Sequence, residues 1–286
     1  MLHKYFDAHC HLQDPRLAHC IDQVIQDATT QGVEYFSCNG CFESDWSKVK
    51  DLSARHKEIT PNFGLHPWWV HERSEGWLGN LRDMLLSVPH AGLGECGLDH
   101  HKRGITDLST QEIVMRAQLR LAKELHRPCS VHCVRAFGSL SSMLHEEGPF
   151  PAGLVLHSWA GSSEMVKQLA RIDAVYFSLS GHSLRLSDQK LKAMLREIPL
   201  DRLLLETDSP DGIEGLQTCS QAPIQSVAPR SDSHEAHGDA PKLNHPANIK
   251  AVLACVCKHL SCPEPDIAEA AFKNALRLFP ARDSQR

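Results

Sequence analysis

Two histidines near the start of the chain, His9 and His11, are separated by a single residue. Side chains alternate along an extended strand, so both imidazoles project to the same face. Imidazole is the commonest side-chain ligand for transition metals in proteins. Alone, such a pair is more often two ordinary histidines than a metal site. Its interpretation therefore depends on the partners that the rest of the chain supplies.

Further metal-competent side chains stand at the ends of other predicted strands. In chain order they are Glu95, His132, His157 and Asp208. A carboxylate buried at a strand end needs a strong partner to offset its lost hydration. A chain in which five strands each end in a metal ligand is improbable by chance. We therefore interpret these residues, with His9 and His11, as one metal centre.

Six ligands exceed one closed tetrahedral site and suit two adjacent ions. A carboxylate can bind two metals through its two oxygens, so Glu95 is the predicted bridge. The expected division places one ion on His9, His11, Glu95 and Asp208, and the other on Glu95, His132 and His157. Imidazole favours Zn²⁺ in raw affinity, but mixed ligands of this kind also accept Mg²⁺ and Mn²⁺, so the metal is left open.

Alternating strands and helices must position these residues. Apolar runs predict strands at 5–10, 33–38, 59–66, 91–95, 128–133, 153–157, 175–179 and 202–207. Helical periodicity predicts helices at 15–31, 45–55, 76–87, 110–126, 136–146, 164–172 and 188–197 between them. Eight such units, each of roughly 30 residues, favour an α/β fold, a (β/α)8 barrel, over an open sheet. Barrel enzymes carry their sites at the C-terminal ends of the strands, where the six residues stand.

The barrel is expected to be a single domain over residues 1–286, with one irregular stretch. Residues 212–243 are rich in Ser, Pro, Gln, Gly and His and contain few large apolar side chains. This composition predicts a flexible surface insertion after the eighth strand. Helices at 246–259 and 266–278 are predicted to close the chain.

Bulk composition narrows the function classes. The formal charge of −5 and the pI of about 6.4 give no overall positive field to attract nucleic acid. No apolar run approaches the roughly 18 residues of a membrane span, so we expect no membrane association. The 11 cysteines are an odd number and are scattered without a paired framework, which favours reduced thiols in a cytoplasmic or nuclear protein.

The motifs of this chain resemble those of the TatD family of metal-dependent deoxyribonucleases, within the amidohydrolase-like barrels. Matching segments run in order at 6–12, 64–67, 94–99, 157–161, 206–210 and 244–248. The resemblance implies a barrel with two divalent ions on the six residues above. It also implies hydrolysis of phosphodiester bonds, commonly as a 3′-to-5′ exonuclease acting on DNA with Mg²⁺ or Mn²⁺. Single-stranded DNA or DNA 3′ ends would be the substrate, and a monomer is expected.

The resemblance also suggests roles for individual residues. Glu95 and Asp208 are the predicted catalytic residues, with Asp208 both holding an ion and orienting the attacking water or accepting its proton. His66, in the Gly-Leu-His-Pro turn, either binds phosphate or only holds the turn. Trp159, like the neighbouring tryptophans at 68 and 69, either stacks on a base or is packed.

One residue near the motifs is expected to support a ligand, and three positions differ from the usual family pattern. Glu206 lies two residues before Asp208, hence on the same strand face, where it is expected to hydrogen-bond a ligand histidine. The family usually has an arginine two residues after the strand-five histidine, but this chain has Val134 there, followed by Arg135. His100 replaces a usual aromatic residue, and an Asp-Gly pair at 211–212 begins the insertion. We expect these differences to act on substrate preference.

Two rival functions remain at this point. An amidohydrolase-type enzyme on the same barrel would cleave a small ester or amide, but many of those bridge their ions with a carboxylated lysine on strand four, where this chain has Glu95. A non-catalytic metal-binding module would have no need of two ions. A count of bound metal and an assay across substrate classes separate the three.

Overall fold

Eight parallel strands form one sheet that curves into a barrel. The computed structural model describes residues 3–101, 106–219, 223–227 and 242–279. The strands are β1 (Tyr5–Cys10), β2 (Val33–Asn39), β3 (Ile59–Phe63), β4 (Gly92–Asp99), β5 (Cys129–Val134), β6 (Leu154–Leu156), β7 (Val175–Leu179) and β8 (Leu203–Leu205). Neighbours in sequence are neighbours in the sheet throughout. The predicted (β/α)8 barrel is confirmed.

Helices surround the strands and cover their outer face. They are α1 (Ile21–Thr30), α2 (Trp46–Arg55), α3 (Trp77–Ser87), α4 (Leu108–Glu124), α5 (Phe137–Glu147), α6 (Ser163–Leu169), α7 (Asp188–Glu197), α8 (Ile213–Cys219), α9 (Ile249–Leu260) and α10 (Glu264–Leu278). Short 3₁₀ helices lie at Pro67–Glu72, Ser183–Arg185, Leu200–Arg202 and Pro246–Asn248. Each long helix buries an apolar stripe against the sheet, which is the arrangement that its 3.6-residue periodicity predicts. In the part of the chain described, no helix is long and apolar enough to cross a membrane.

Backbone hydrogen bonds join the first strand to the segment after the last one. The Asp208 amide donates to the His9 carbonyl at 3.0 Å, and the His11 amide donates to the Ser209 carbonyl at 2.7 Å. The buried Asp7 carboxylate accepts from the Thr207 amide at 2.9 Å and also from its hydroxyl. These bonds close the barrel at the end where the site lies, and they bring the opening histidine pair beside Asp208.

Strand β4 extends beyond its predicted end at residue 95 and reaches Asp99. Its last residues pair with β5, with Gly97 opposite His132. Gly97 has φ +148°, and a Cβ there would lie 2.0 Å from the His132 carbonyl oxygen. Only glycine permits this approach of the two backbones, so the Gly-rich sequence that weakens a strand signal is what brings β4 and β5 together.

The segment predicted as a flexible insertion is partly ordered. Residues 213–219 form α8, in which Ile213 and Leu216 are buried one helical turn apart. A short antiparallel pair, β9 (Ser226–Val227) with β10 (Leu243–Asn244), follows. The rest of the predicted insertion, 220–222 and 228–241, lies outside the described residues. The expectation of reduced thiols holds for buried residues such as Cys10 and Cys129 but not for Cys255, which is disulfide-bonded.

Candidate metal centre

The six predicted ligands converge at one end of the barrel. His9 lies on β1 and His11 just after it, Glu95 lies on β4 and His132 on β5, and His157 and Asp208 follow β6 and β8. His9 is fully buried, Glu95 is 2% exposed and Asp208 is 7% exposed. The structure brings all six together, at the strand ends where the sequence placed them.

A first group of ligand atoms surrounds one point. The Nε2 atoms of His9 and His11 are 3.2 Å apart, and each lies 3.3 Å from Glu95 Oε2. Asp208 Oδ1 is 3.4 Å from His11 Nε2 and 3.8 Å from His9 Nε2. With metal–ligand bonds of about 2.1 Å, a tetrahedral site has ligand atoms about 3.4 Å apart. The first group therefore has the spacing of a divalent-metal site.

A second group surrounds the other oxygen of the same carboxylate. Glu95 Oε1 lies 3.0 Å from His132 Nδ1 and 2.8 Å from His157 Nε2, and these two nitrogens are 3.1 Å apart. The His157 and His9 rings stack with centroids 3.9 Å apart, so the two groups are side by side. Glu95 thus directs one oxygen to each group, which is the geometry of a bridging carboxylate.

Electrostatics keep the Glu95 carboxylate ionised. Burial opposes the charge, but the surrounding histidines, of which His157 has the largest effect, hold the pKa of Glu95 well below its usual range. For Asp208, burial is likewise outweighed by hydrogen bonds from His11 and His182, which hold its pKa well below its usual range. The centre therefore presents anionic oxygens to whatever it binds.

The outer nitrogens of the first two histidines carry their protons. His11 Nδ1 lies 2.9 Å from the Asn39 carbonyl oxygen, which can only accept, so Nδ1 must be the donor. His9 Nδ1 lies 2.8 Å from the Ser130 hydroxyl, which can accept from it in the same way. With Nδ1 as the donor, a neutral ring of either histidine presents its Nε2 lone pair to the first group. Metal-binding histidines typically have this arrangement.

The second group follows the same logic with carboxylates as outer partners. His132 Nε2 lies 3.3 Å from Asp99 Oδ2, which leaves its Nδ1 free to face Glu95. The pKa of Asp99 is lowered to about 2, since hydrogen bonds led by that of His132 outweigh its burial. His157 Nδ1 lies 3.4 Å from Glu206 Oε1, close enough for charge attraction though not aligned as a hydrogen bond. Glu206 is fully buried on the strand face predicted for it.

Such a donor set fits divalent cations. Four imidazoles and two carboxylates face inward, with neighbouring ligand atoms 2.8 to 3.8 Å apart within each group, and without a cation or added protons these atoms would repel. Cys41 adds a thiol that the sequence did not single out, with Sγ 3.7 Å from Glu95 Oε2. Its place in the C-x-x-C segment at 38–41 is the sequence signal that could have drawn attention to it.

The nitrogen that His66 directs into the site carries a proton, unlike the ligand nitrogens described above. His66 Nδ1 accepts the Trp68 amide at 3.1 Å, so a neutral ring carries its proton on Nε2, which lies 3.4 Å from Glu95 Oε1. Burial lowers the pKa of His66 to about 4, so the ring is neutral at pH 7. An N–H that points into the site cannot ligate a metal, but it can donate to a phosphoryl oxygen. The bond to Trp68 shows that His66 holds the turn, and the same ring presents an N–H toward the site, as phosphate binding would require.

Trp159 does not line the site. It is 1% exposed and packs edge-on against Phe137 and Phe177, with centroids 5.2 and 5.6 Å away. The prediction that Trp159 contacts substrate is therefore wrong, because the chain turns this ring into the core after β6. The sequence around a motif does not indicate whether an adjacent aromatic ring lines the site or packs into the core.

His182 belongs to the site and was not predicted. Its Nε2 lies 3.2 Å from Asp208 Oδ2, the oxygen that faces away from the first group. The ring reaches this position over Gly212, where a Cβ would lie 3.3 Å from the imidazole. The Asp-Gly departure at 211–212 was the one available signal, since it marks space where related chains have a larger side chain.

Comparison with known proteins agrees with this geometry. A family model described as TatD related DNase matches residues 6–280 of the chain. The chain belongs to the TatD family. Among curated TatD relatives, the uncharacterized metal-dependent hydrolase YabD of Bacillus subtilis is 27% identical over 96% of this chain and 98% of its own. The 3′-5′ ssDNA/RNA exonuclease TatD of Erwinia tasmaniensis is 31% identical over 72% of this chain and 79% of its own.

Solved TatD structures have the same architecture. The crystal structure of the TatD homolog YJJV from Escherichia coli superposes with a TM-score of 0.81, covers 98% of this chain and 99% of its own, and is 24% identical. Likeness at this identity bears on the fold alone, and it supports the eight-stranded barrel described above. Family membership makes the chain a metal-dependent hydrolase of the TatD type with a nucleic-acid-cleaving branch among its relatives.

Proposed function

We propose that the protein is a metal-dependent exonuclease that removes nucleotides from the 3′ end of single-stranded DNA. The observation that carries the proposal is the bridging geometry of Glu95, whose two oxygens face two separate ligand groups. Paired divalent ions are a recurrent solution for phosphodiester hydrolysis. The relative named as a 3′-5′ ssDNA/RNA exonuclease supports the substrate class and the polarity.

The residues divide into ion-holding and substrate-contacting sets. His9, His11 and Asp208 would hold one ion and His132 and His157 the other, with Glu95 shared. Bound divalent ions supply charge neutralisation on the phosphoryl oxygens and activation of water. Asp208 would orient the attacking water or accept its proton, and the His66 Nε2–H would donate to a phosphoryl oxygen. Locally bound cations explain how a chain with a net charge of −5 would hold a polyanion.

The decisive assay uses a 5′-labelled single-stranded oligonucleotide with Mg²⁺, Mn²⁺ or Zn²⁺ in turn. We expect a ladder of products that shortens from the 3′ end, strongest with Mg²⁺ or Mn²⁺, and abolished by chelation. RNA and small phosphodiesters run in parallel define the substrate range. Hydrolysis of a small ester or amide without nuclease activity would instead favour the amidohydrolase-type function. Two bound ions without any turnover would favour a non-catalytic metal-binding module.

Single-ligand variants test the division of the centre. We expect His9→Ala to lose the ion of the first group and to retain that of the second, because its Nε2 lies beside His11 Nε2 and Glu95 Oε2. His132→Ala should show the reverse. Metal content per chain, measured by atomic emission after dialysis, should fall from two toward one in each variant.

His145→Ala provides the matched control, since this histidine lies on α5 and bonds only its own helix at the Ser141 carbonyl. It should keep both ions. Loss of both ions in either His9→Ala or His132→Ala would show that the two positions fill cooperatively through Glu95. Retention of both ions in both variants would contradict the assigned ligand sets.

A further inference from the structure

An exposed aromatic ring stands at the rim of the second ligand group. Trp68 is 40% exposed, more than any other Trp, Tyr or Phe ring in the described part of the chain. Its neighbour Trp69 is half-buried and packs on Phe42 with centroids 4.8 Å apart. The exposed face of the Trp68 ring is therefore accessible to a ligand at the mouth of the site.

The exposed indole is held in a fixed orientation. Its Nε1–H donates to Asp99 Oδ2 at 2.6 Å, and its backbone amide donates to His66 Nδ1 at 3.1 Å. Asp99 is itself 2% exposed and also accepts from the His101 amide at 2.7 Å. The indole nitrogen and the backbone of Trp68 are thus both hydrogen-bonded to residues that line the site. A pre-oriented ring loses little conformational freedom when a ligand binds to it.

The ring is also close to where substrate must lie. Its centroid is 5.0 Å from that of His66, whose N–H points into the site, and 6.5 Å from that of His132 in the second group. A phosphoryl group bound beside the His66 N–H has its neighbouring nucleotide within reach of the indole. Bases of every sequence have a flat π face, so stacking on such a ring is tolerant of sequence.

We propose that Trp68 is a stacking platform for the nucleobase next to the scissile phosphate. The proposal rests on the proposed nuclease function and deepens it. It names the substrate as a phosphodiester that carries a base at this position, so that the base as well as the phosphate is recognised. Trp68 would act mainly on substrate binding, whereas the six ligand residues act on the reaction itself.

Base deletion in the substrate provides the sharpest test. Binding of a single-stranded oligonucleotide is measured by fluorescence anisotropy in the Asp208→Asn background, where turnover is suppressed. We expect Trp68→Ala to weaken binding about 10- to 100-fold, within the range of base–aromatic stacking, and Trp68→Phe to retain most of the affinity. Trp69→Ala, on the same 3₁₀ helix, is the matched control and should bind like the parent.

Oligonucleotides with one abasic site, placed in turn at the last and the penultimate nucleotide, then locate the contact. At one of these positions, the abasic site should weaken binding to the parent but not to Trp68→Ala, since the stacking partner is already absent. With active protein, Trp68→Ala should raise KM and change kcat little. If the abasic site weakens binding to Trp68→Ala as much as to the parent at both positions, the two losses are independent and the stacking proposal is refuted. Equal binding of the intact oligonucleotide by Trp68→Ala and the parent would also refute it.

These outcomes separate this proposal from the proposed function. If the parent cleaves DNA but Trp68→Ala binds it equally well, the platform fails and the nuclease function stands. If the parent binds oligonucleotides through Trp68 but cleaves none, the platform stands and the nuclease function fails. If the parent neither binds nor cleaves them, both are refuted.

Discussion

Replacing Glu95 with glutamine is expected to empty both metal positions and to lower DNA hydrolysis by about 10³-fold or more. The reason is geometric, because Oε2 faces His9 and His11 whereas Oε1 faces His132 and His157. An amide has one oxygen, so its NH₂ group must point at one of the two ligand groups. A donor cannot ligate a cation, and the remaining oxygen is neutral. Glu95→Ala should likewise lose both ions and the hydrolytic activity, although it introduces no NH₂ group into the site.

The measurement pairs metal content with activity and with a thermal unfolding curve. We expect Glu95→Gln to bind less than one ion per chain while its circular dichroism spectrum stays that of the parent. Glu164→Gln, an exposed carboxylate on α6, is the control and should retain both ions and full activity. Full metal content with activity lost would mean that Glu95 acts on substrate rather than as a bridge. Unchanged activity would refute the centre as a whole.

The convergence of the six candidate ligands could be predicted from the sequence, because side-chain alternation and the barrel topology direct them to one rim. An alternating strand places His9 and His11 on one face, and parallel strands in a barrel all end at the same rim. Any residue at the end of such a strand, as with His132 or Glu95, must therefore approach the others. No detailed knowledge of the loops is needed for that step, so errors of a few residues in strand ends left the site intact.

Loop residues could not be placed in the same way. Trp159 and Trp68 both follow motif residues directly, yet one ring is buried and the other is exposed, and the difference depends on packing that appears only in three dimensions. His182 reaches Asp208 because the loops after β7 and β8 approach closely, such that a Cβ on Gly181 would lie 1.8 Å from the Gly212 carbonyl oxygen. Close approach of two distant loops has no local signature beyond the glycines themselves.

The tautomers of the site histidines also could not be predicted from the sequence. His66 and His132 are both histidines at strand ends, after β3 and on β5 on either side of β4, and each faces Glu95 Oε1. Their opposite roles follow from their outer partners, a donor amide for His66 and an acceptor carboxylate for His132. The hydrogen-bond partner on the far side of an imidazole decides whether the near side donates or ligates.

Replacing Asp208 with asparagine is expected to lower the rate of hydrolysis by about 10²- to 10⁴-fold, the range for removing an acid–base group. Asp208 Oδ1 faces the first group, so that ion should bind more weakly while the ion of the second group remains. The Asp208→Asn protein should therefore retain about one ion per chain by atomic emission. Retention of both ions with the rate lost would assign Asp208 to proton transfer alone, and a parental rate would refute its role.

The outer oxygen of Asp208 allows its two roles to be separated, because His182 lies 3.2 Å from Oδ2 and has no contact with the first group's lone pairs. If His182 acts by orienting that carboxylate, His182→Ala should lower the rate in the parent but cause no further loss in the Asp208→Asn background. His182→Gln, whose amide nitrogen can occupy the position of the imidazole Nε2, should restore much of the rate. Multiplicative losses in the double variant would instead place His182 in direct contact with substrate, since independent sites add their free energies whereas coupled ones do not.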